Sequence, residues 1–305
     1  MKKQVMNFLS MALMALVLFS CGGGSGKKGS GGKSLFTPVS SGHPYEMLVV
    51  IDKDMWERPA GRALFNALDM DVPGLPQPER SFRISQIIPD KFERGFRIFR
   101  NIIDVDIQPI YTQPKLKYSR DSYASPQMIM TIQAPDEASF EEFVNQNKQV
   151  IVDFFTKAEM NRQINLLKEK YSDVVATKVG SMFGCDVRVP VGFERYKQGK
   201  DFFWTSEDRP GSEVSMNFVV YSYPYTDKNT FTRDYFIHKR DSVMKLNIPG
   251  SLEGQYMATD TSYVNVREFS VKGEYAFEAR GLWYMENDMM GGPFVSHARV
   301  DRPNG

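Results

Sequence analysis

Few side chains in this sequence are suited to chemistry: two cysteines, Cys21 and Cys185, and three histidines, His43, His238 and His297. A nucleophilic Cys185 needs a nearby cation to lower its pKa, and no spacing brings a histidine to it. A small thiol buried in a core is the simpler reading. His238 stands one helical turn from Asp234 and from Asp241, so a carboxylate would keep its ring charged, while Phe231 and Tyr235 on the same face make it a half-buried packing residue. Ser242 occupies the i+4 place where a second metal ligand would be needed. No HExxH, CxxC, GxSxG, Walker loop or dinucleotide-binding glycine pattern occurs, so no catalytic residue, metal site or cofactor is expected.

Two segments suit binding better. A short helix over 90–100, capped by Asp90 with Glu93 reciprocating, would turn Phe92, Phe96, Phe99 and Ile103 inward. Arg94, Arg97 and Arg100 would then line another face, where they could hold a phospholipid head or a carboxylate; a solvated face paired with nearby acids is the preferred reading, because surface arginines commonly do no more than this. Near the end of the chain, Trp283, Tyr284, Met289 and Met290 precede the tight Gly291-Gly292-Pro293 turn. They could line a groove for a sugar ring or an apolar ligand, or simply pack a turn onto the core.

Cys21 has a different chemistry. Lys2 and Lys3 followed by an apolar run over 5–19 form an export signal, too short for a spanning helix, which needs roughly 20 apolar residues. Leu18-Phe19-Ser20-Cys21 resembles a bacterial lipobox, whose cysteine is lipidated on sulfur, with palmitate-type chains, and becomes the new N-terminus. Residues 21–34, rich in glycine, serine and lysine, can build no core and read as a flexible tether. Once Cys21 is acylated, Cys185 has no disulfide partner within the chain.

The body that remains is nearly neutral, with 38 basic against 37 acidic side chains in the whole chain, so it presents no field to gather nucleic acid. Strand-like runs fall at 47–51, 84–88, 102–107, 128–133, 186–191, 202–205, 214–223, 263–271, 275–283 and 294–300. The runs 264–271 and 275–282 form the clearest hairpin, because Gly273 supplies the positive φ of a tight turn. Helices are expected at 60–68 behind Pro59, from Asp136 through 158, where the apolar phase becomes less regular and a bend or a second helix reaching toward 171 is expected, and at about 228–246. Three prolines within 73–78 suggest an extended strap across the surface.

These elements predict an α+β fold of largely antiparallel sheets covered by about three helices. Pro89–Arg94 and Pro190–Arg195 share Pro, Phe, Glu and Arg, which hints at two related α+β halves, 35–180 and 181–305, behind the signal (1–20) and tether (21–34).

The lipobox and tether, Glu46-Met47-Leu48-Val49-Val50-Ile51-Asp52 with Trp56, Leu75-Pro76-Gln77-Pro78-Glu79, Arg100-Asn101-Ile102-Ile103, and Arg280-Gly281-Leu282-Trp283 with Met290-Gly291-Gly292-Pro293-Phe294 together resemble an uncharacterised lipoprotein family of Bacteroidota, classed as a domain of unknown function. The likeness covers nearly all of the exported body and implies origin and location, with no activity or catalytic residue to carry over. Surface-exported lipoproteins of that group have acidic residues after the lipidated cysteine. Residues 22–34 contain none, which implies retention facing the periplasm. The expectation is a non-catalytic protein held on a membrane through lipid at Cys21, binding an envelope protein or anionic envelope component and no nucleic acid. The alternative is an envelope hydrolase or transferase using Asp and Glu residues dispersed along the chain.

Overall fold

The computed structural model describes residues 37–300 except 74, 76 and 208–214. The export signal, the tether and Cys21 lie outside the described residues. The fold is α+β, with seven α-helices and three sheets among the described residues.

The first sheet has the order β2-β1-β3-β5-β4, formed by β1 (Glu46–Val50), β2 (Arg83–Ile87), β3 (Asn101–Ile107), β4 (Lys115–Arg120) and β5 (Met128–Ala134). Its β1–β2, β1–β3 and β3–β5 pairs are parallel, and only the edge pair β4–β5 is antiparallel. The near-continuous apolar runs Met47–Ile51 and Ile102–Ile103 fit this, since strands covered on both faces need no alternation. One face packs against α1 (Lys53–Glu57), α2 (Pro59–Leu68), α4 (Glu137–Gln146) and α5 (Lys148–Glu169), burying Met47, Val49, Ile103, Leu64, Phe140 and Phe155. The other face holds Leu48, Val50, Ile102 and Ile129 under Phe92 and Phe99. These flank α3 (Arg94–Arg97), a single turn behind a 3-10 turn at Pro89–Lys91. Gly61 lets α2 meet α1: a Cβ there would lie 2.4 Å from the Met55 carbonyl oxygen and from the Trp56 Cα.

The remaining sheets are antiparallel. One has the order β6-β7-β8, from β6 (Phe193–Gln198), β7 (Phe202–Glu207) and β8 (Met216–Tyr221), and packs on α6 (Asp173–Phe183) through Val175, Val179, Phe193 and Phe203. The other has the order β11-β10-β9, from β9 (Met257–Val271), β10 (Glu274–Met285) and β11 (Gly291–Ala298). One of its faces rests on α7 (Arg233–Asn247) through Phe236, Ile237, Val264, Phe277 and Ala279. The expected hairpin is β9–β10, with Val271 opposite Glu274 and Lys272-Gly273 at φ 53° and 85°, the backbone of a two-residue turn matched to strand twist.

Several expectations need correction. The run 186–191 is not a strand, although Val189 is buried and its carbonyl accepts from the Ser172 N–H. The long helix breaks at Asn147, whose side-chain amide donates to the Phe143 carbonyl, and then runs to Glu169. Its apolar phase fades after Ala158 because Glu159 and Arg162 take the buried positions. The residues that flank the proline-rich segment are drawn together instead of apart, since Asp71 bridges Arg80 and the Val72 N–H donates to the Glu79 carbonyl. Pro89–Arg94 makes a 3-10 turn where Pro190–Arg195 leads into a strand, so the shared residues do not share a conformation.

Candidate functional site

The amino ends of the parallel strands carry the densest polar arrangement of the first sheet. Its centre is Glu159 on α5, which is fully buried. Glu159 Oε2 accepts from Arg100 Nη2 at 2.8 Å, and Oε1 accepts from Arg162 Nη1 and Asn101 Nδ2, both at 2.7 Å. Arg162 also donates to Asn101 Oδ1 and to the Arg100 carbonyl. Two guanidiniums therefore share one carboxylate, and burial draws the Arg162 pKa downward against the pull of Glu159. Arg100 Nε is buried without a hydrogen-bond partner among the described residues.

A hook over residues 42–46 lies above this network. Asn101 Nδ2 donates to the Glu46 carbonyl at 2.9 Å as well as to Glu159, and Arg100 Nη1 reaches the Gly42 carbonyl at 3.4 Å. Pro44 precedes Tyr45, which has φ 61°, a left-handed conformation uncommon for a bulky side chain. Burial, and then the Glu159 charge, push the Tyr45 hydroxyl pKa up, so it remains a donor. Glu46 Oε2 accepts from the His43 N–H at 2.8 Å, and Oε1 faces Arg83 Nη1 at 3.3 Å.

Between this hook and residues 79–84 opens a cleft of about 870 Å³. Tyr45, 39% exposed, gives the cleft an aromatic face, and its ring centroid lies 6.2 Å from that of Phe82, which is buried in the core behind it. Arg80 and Arg83 reach into the opening; each meets one acid, Asp69 at 3.0 Å and Glu46 at 3.3 Å, and their side chains are 70% and 77% exposed. The result is a concave, partly aromatic site with guanidinium donors at its rim, suited to a planar or tetrahedral anion.

The expected arginine stripe does not hold together. Arg100 turns inward to Glu159, while Arg97 donates to the Phe92 carbonyl and lies over the Phe92 and Tyr123 rings at 5.6 and 5.4 Å. Arg94 is exposed, and no partner is found for it among the described residues. Phe96, expected inward, is exposed because α3 lasts only one turn. Sequence reasoning missed Arg80, Arg83 and Tyr45; a signal for Tyr45 was Pro44 directly before it, since proline opens a turn whose next residue takes a positive φ.

Trp283 and Tyr284 do not share a groove. Trp283 faces inward beside Met244, Met257 and Met285, whereas Tyr284 is exposed on the opposite face. Met289 and Met290 are exposed in the following turn. Cys185 is half-buried against the α6 cluster rather than enclosed. His238 is exposed, because α7 buries Phe236, Ile237, Arg240 and Met244 instead of the face through Tyr235.

Asp104 and Asp106 sit two apart on one face of β3. Asp106 accepts from the Tyr111 hydroxyl, from Gln133 Nε2 at 2.6 Å and from Gln108 Nε2 at 2.7 Å. Although burial opposes ionisation, these bonds hold its pKa below the usual carboxylate range. Asp104 has no hydrogen bond or ion pair among the described residues, and burial, with Asp106 adding to it, pushes its pKa up. No group of three or more His, Cys, Asp or Glu among the described residues is placed to hold a metal ion, and no described helix is long and apolar enough to cross a membrane.

The fold and cleft thus define an α+β protein with an arginine-rimmed site at the amino ends of a mixed sheet. Residues 40–168 match one domain of unknown function (DUF8532), and residues 172–305 match a second (DUF4837), the two meeting just beyond α5. No curated protein and no solved structure matches the chain.

Proposed function

We propose that this chain is a non-catalytic envelope protein, carried on a membrane by lipid at Cys21 and facing the periplasm, whose cleft holds an anionic envelope component. The observation that carries this reading is the pair Arg80 and Arg83, each tied to one acid and otherwise open to the 870 Å³ cleft beside Tyr45. The lipobox and the Gly/Ser-rich leash support the address, and the hook at 42–46 follows only a few residues after them.

Two measurements test this. Mass spectrometry of chain purified from membranes should find acyl groups on Cys21. Calorimetric titration of the full chain with soluble cell-wall fragments bearing free carboxylates, and with glycerol phosphate, should detect binding that Arg83→Ala weakens by roughly 10- to 100-fold, the usual worth of one charge-assisted hydrogen bond. Unmodified Cys21, or affinity indifferent to Arg83, refutes the corresponding part.

A second reading, an envelope hydrolase or transferase, draws on Asp104 and Asp106, whose proton affinities are driven apart as an acid and a base require. Hydrolysis of a cell-wall or glycoside substrate that Asp104→Asn abolishes would favour it over the binding role.

A further inference from the structure

The face of the β9–β10–β11 sheet that does not rest on α7 carries a second polar assembly, far along the chain from the cleft. Glu278 on the central strand lies directly opposite Arg267 on β9 and His297 on β11, and Arg280 stands two residues along on the same face. Glu278 Oε1 accepts from Arg267 Nε at 2.6 Å and Arg280 Nε at 2.8 Å; Oε2 accepts from Arg267 Nη2 at 3.0 Å and meets His297 Nε2 at 2.8 Å. These contacts saturate the carboxylate, which is 4% exposed, and the arginines hold its pKa far below the ordinary glutamate range. Glu278 therefore has no lone pair left for a substrate; its effect is on the groups around it.

Those groups are oversupplied. One carboxylate faces two permanent cations and an imidazole, and no other acid is ion-paired to Arg267, Arg280 or His297 among the described residues. Of the five N–H donors on a guanidinium, Arg267 spends two and Arg280 one, and their side chains remain 63% and 36% exposed. Glu278 fixes both forks, so a ligand does not bear the ordering cost that makes flexible surface arginines weak binders. The Phe269 ring, 5.4 Å from the Arg267 Cζ and 5.6 Å from the His297 ring, walls one side, and exposed Val295 lies across from Arg280 on β11.

From this arrangement we infer that Arg267, Arg280 and His297, aligned by Glu278, form a binding site for a phosphate group, either free or as the head of a membrane lipid. Phosphate offers the acceptor oxygens that two fixed forks can share, and the apolar flank formed by Phe269 and Val295 accommodates the carbon next to a phosphate ester. The site is independent of the cleft and stands whether or not the cleft binds anything.

The test uses the full chain and two probes: inorganic phosphate, followed by calorimetry and by the His297 ring signals in NMR, and vesicles of neutral lipid with or without phosphatidylglycerol. Lys27, Lys28 and Lys33 favour phosphatidylglycerol by themselves, so the site's own contribution is the part of the vesicle difference that Arg280→Ala removes. Arg280→Ala leaves Arg267 and His297 on Glu278 and should fold normally by circular dichroism, while lowering at least ten-fold the phosphate affinity read from the His297 ring signals. Those signals report this site alone, so phosphate held at the cleft does not enter the comparison. Phosphate binding with a vesicle difference that Arg280→Ala leaves intact assigns the free anion; a vesicle difference that Arg280→Ala removes assigns the lipid head. If neither probe binds, or Arg280→Ala and Arg267→Ala both bind as the parent does, the inference is overturned.

Discussion

Replacing Glu159 by Gln tests the buried network most directly. The substitution keeps shape and one acceptor oxygen but removes the charge that Arg100 and Arg162 share, and its amide nitrogen must meet a donor, either Arg100 Nη2 or the pair Asn101 Nδ2 and Arg162 Nη1. Arg162 and Glu159 have side-chain exposures of 7% and 0%, so water cannot take over the missing charge without opening the packing of α5 on β3. Breaking a buried ion pair from one side costs about 3–5 kcal/mol, a large part of the roughly 5–15 kcal/mol that holds a typical domain together. At roughly 2–4 °C per kcal/mol for a body of this size, the melting temperature should fall by about 6–20 °C. Circular dichroism on heating and urea titration read the loss. A drop below about 1 kcal/mol would refute the reasoning, because it would mean that the two guanidiniums are solvated in spite of their burial.

The other predictions concern single positions. Glu46 already occupies Arg83 and the His43 N–H, so Glu46→Ala should raise anion affinity at the cleft several-fold in the same titrations; weaker binding would show Glu46 to be part of the site rather than its internal competitor. Lys272 holds φ 53° in the β9–β10 turn, and Lys272→Asn, better suited to that conformation, should gain about 0.5 kcal/mol in urea unfolding. Burial makes the folded state hold the Asp104 proton more tightly than the unfolded state, so this residue costs stability as pH rises above the ordinary aspartate range near 3.9. Asp104→Asn should therefore be more stable than the parent at pH 7, with the difference vanishing below about pH 3; equal stability at both pH values would contradict the assigned burial cost.

The parts legible from sequence are those with a local cause. Lys272-Gly273 defines a hairpin by itself, Pro59 opens α2, and the Asp136 side chain accepts from the Ser139 N–H at the start of α4. Edge strands were harder: β4 and β6 are mostly exposed and charged, and a strand that buries almost nothing has no apolar period to read. The parallel pairing had a signal in the unbroken Met47–Ile51 run, outweighed by an expectation of one-sided sheets. The site was least legible. Glu159 on a helix looks solvated until Arg100 and Asn101 are brought to it by the sheet, and the cleft pairs a hook near residue 43 with a segment near residue 80. Nothing local in either sequence announces the other.

The position of β1 bears on how such a chain is made. It is the first of the described strands, yet it lies inside its sheet, and the strands on either side of it begin only at residues 83 and 101. Both edges of an apolar ribbon therefore stay unzipped while its neighbours are still being delivered, and closure must cross long stretches of chain, which slows it. Until residues 83–107 arrive, an escort that covered the ribbon would keep its open edges from pairing with another chain.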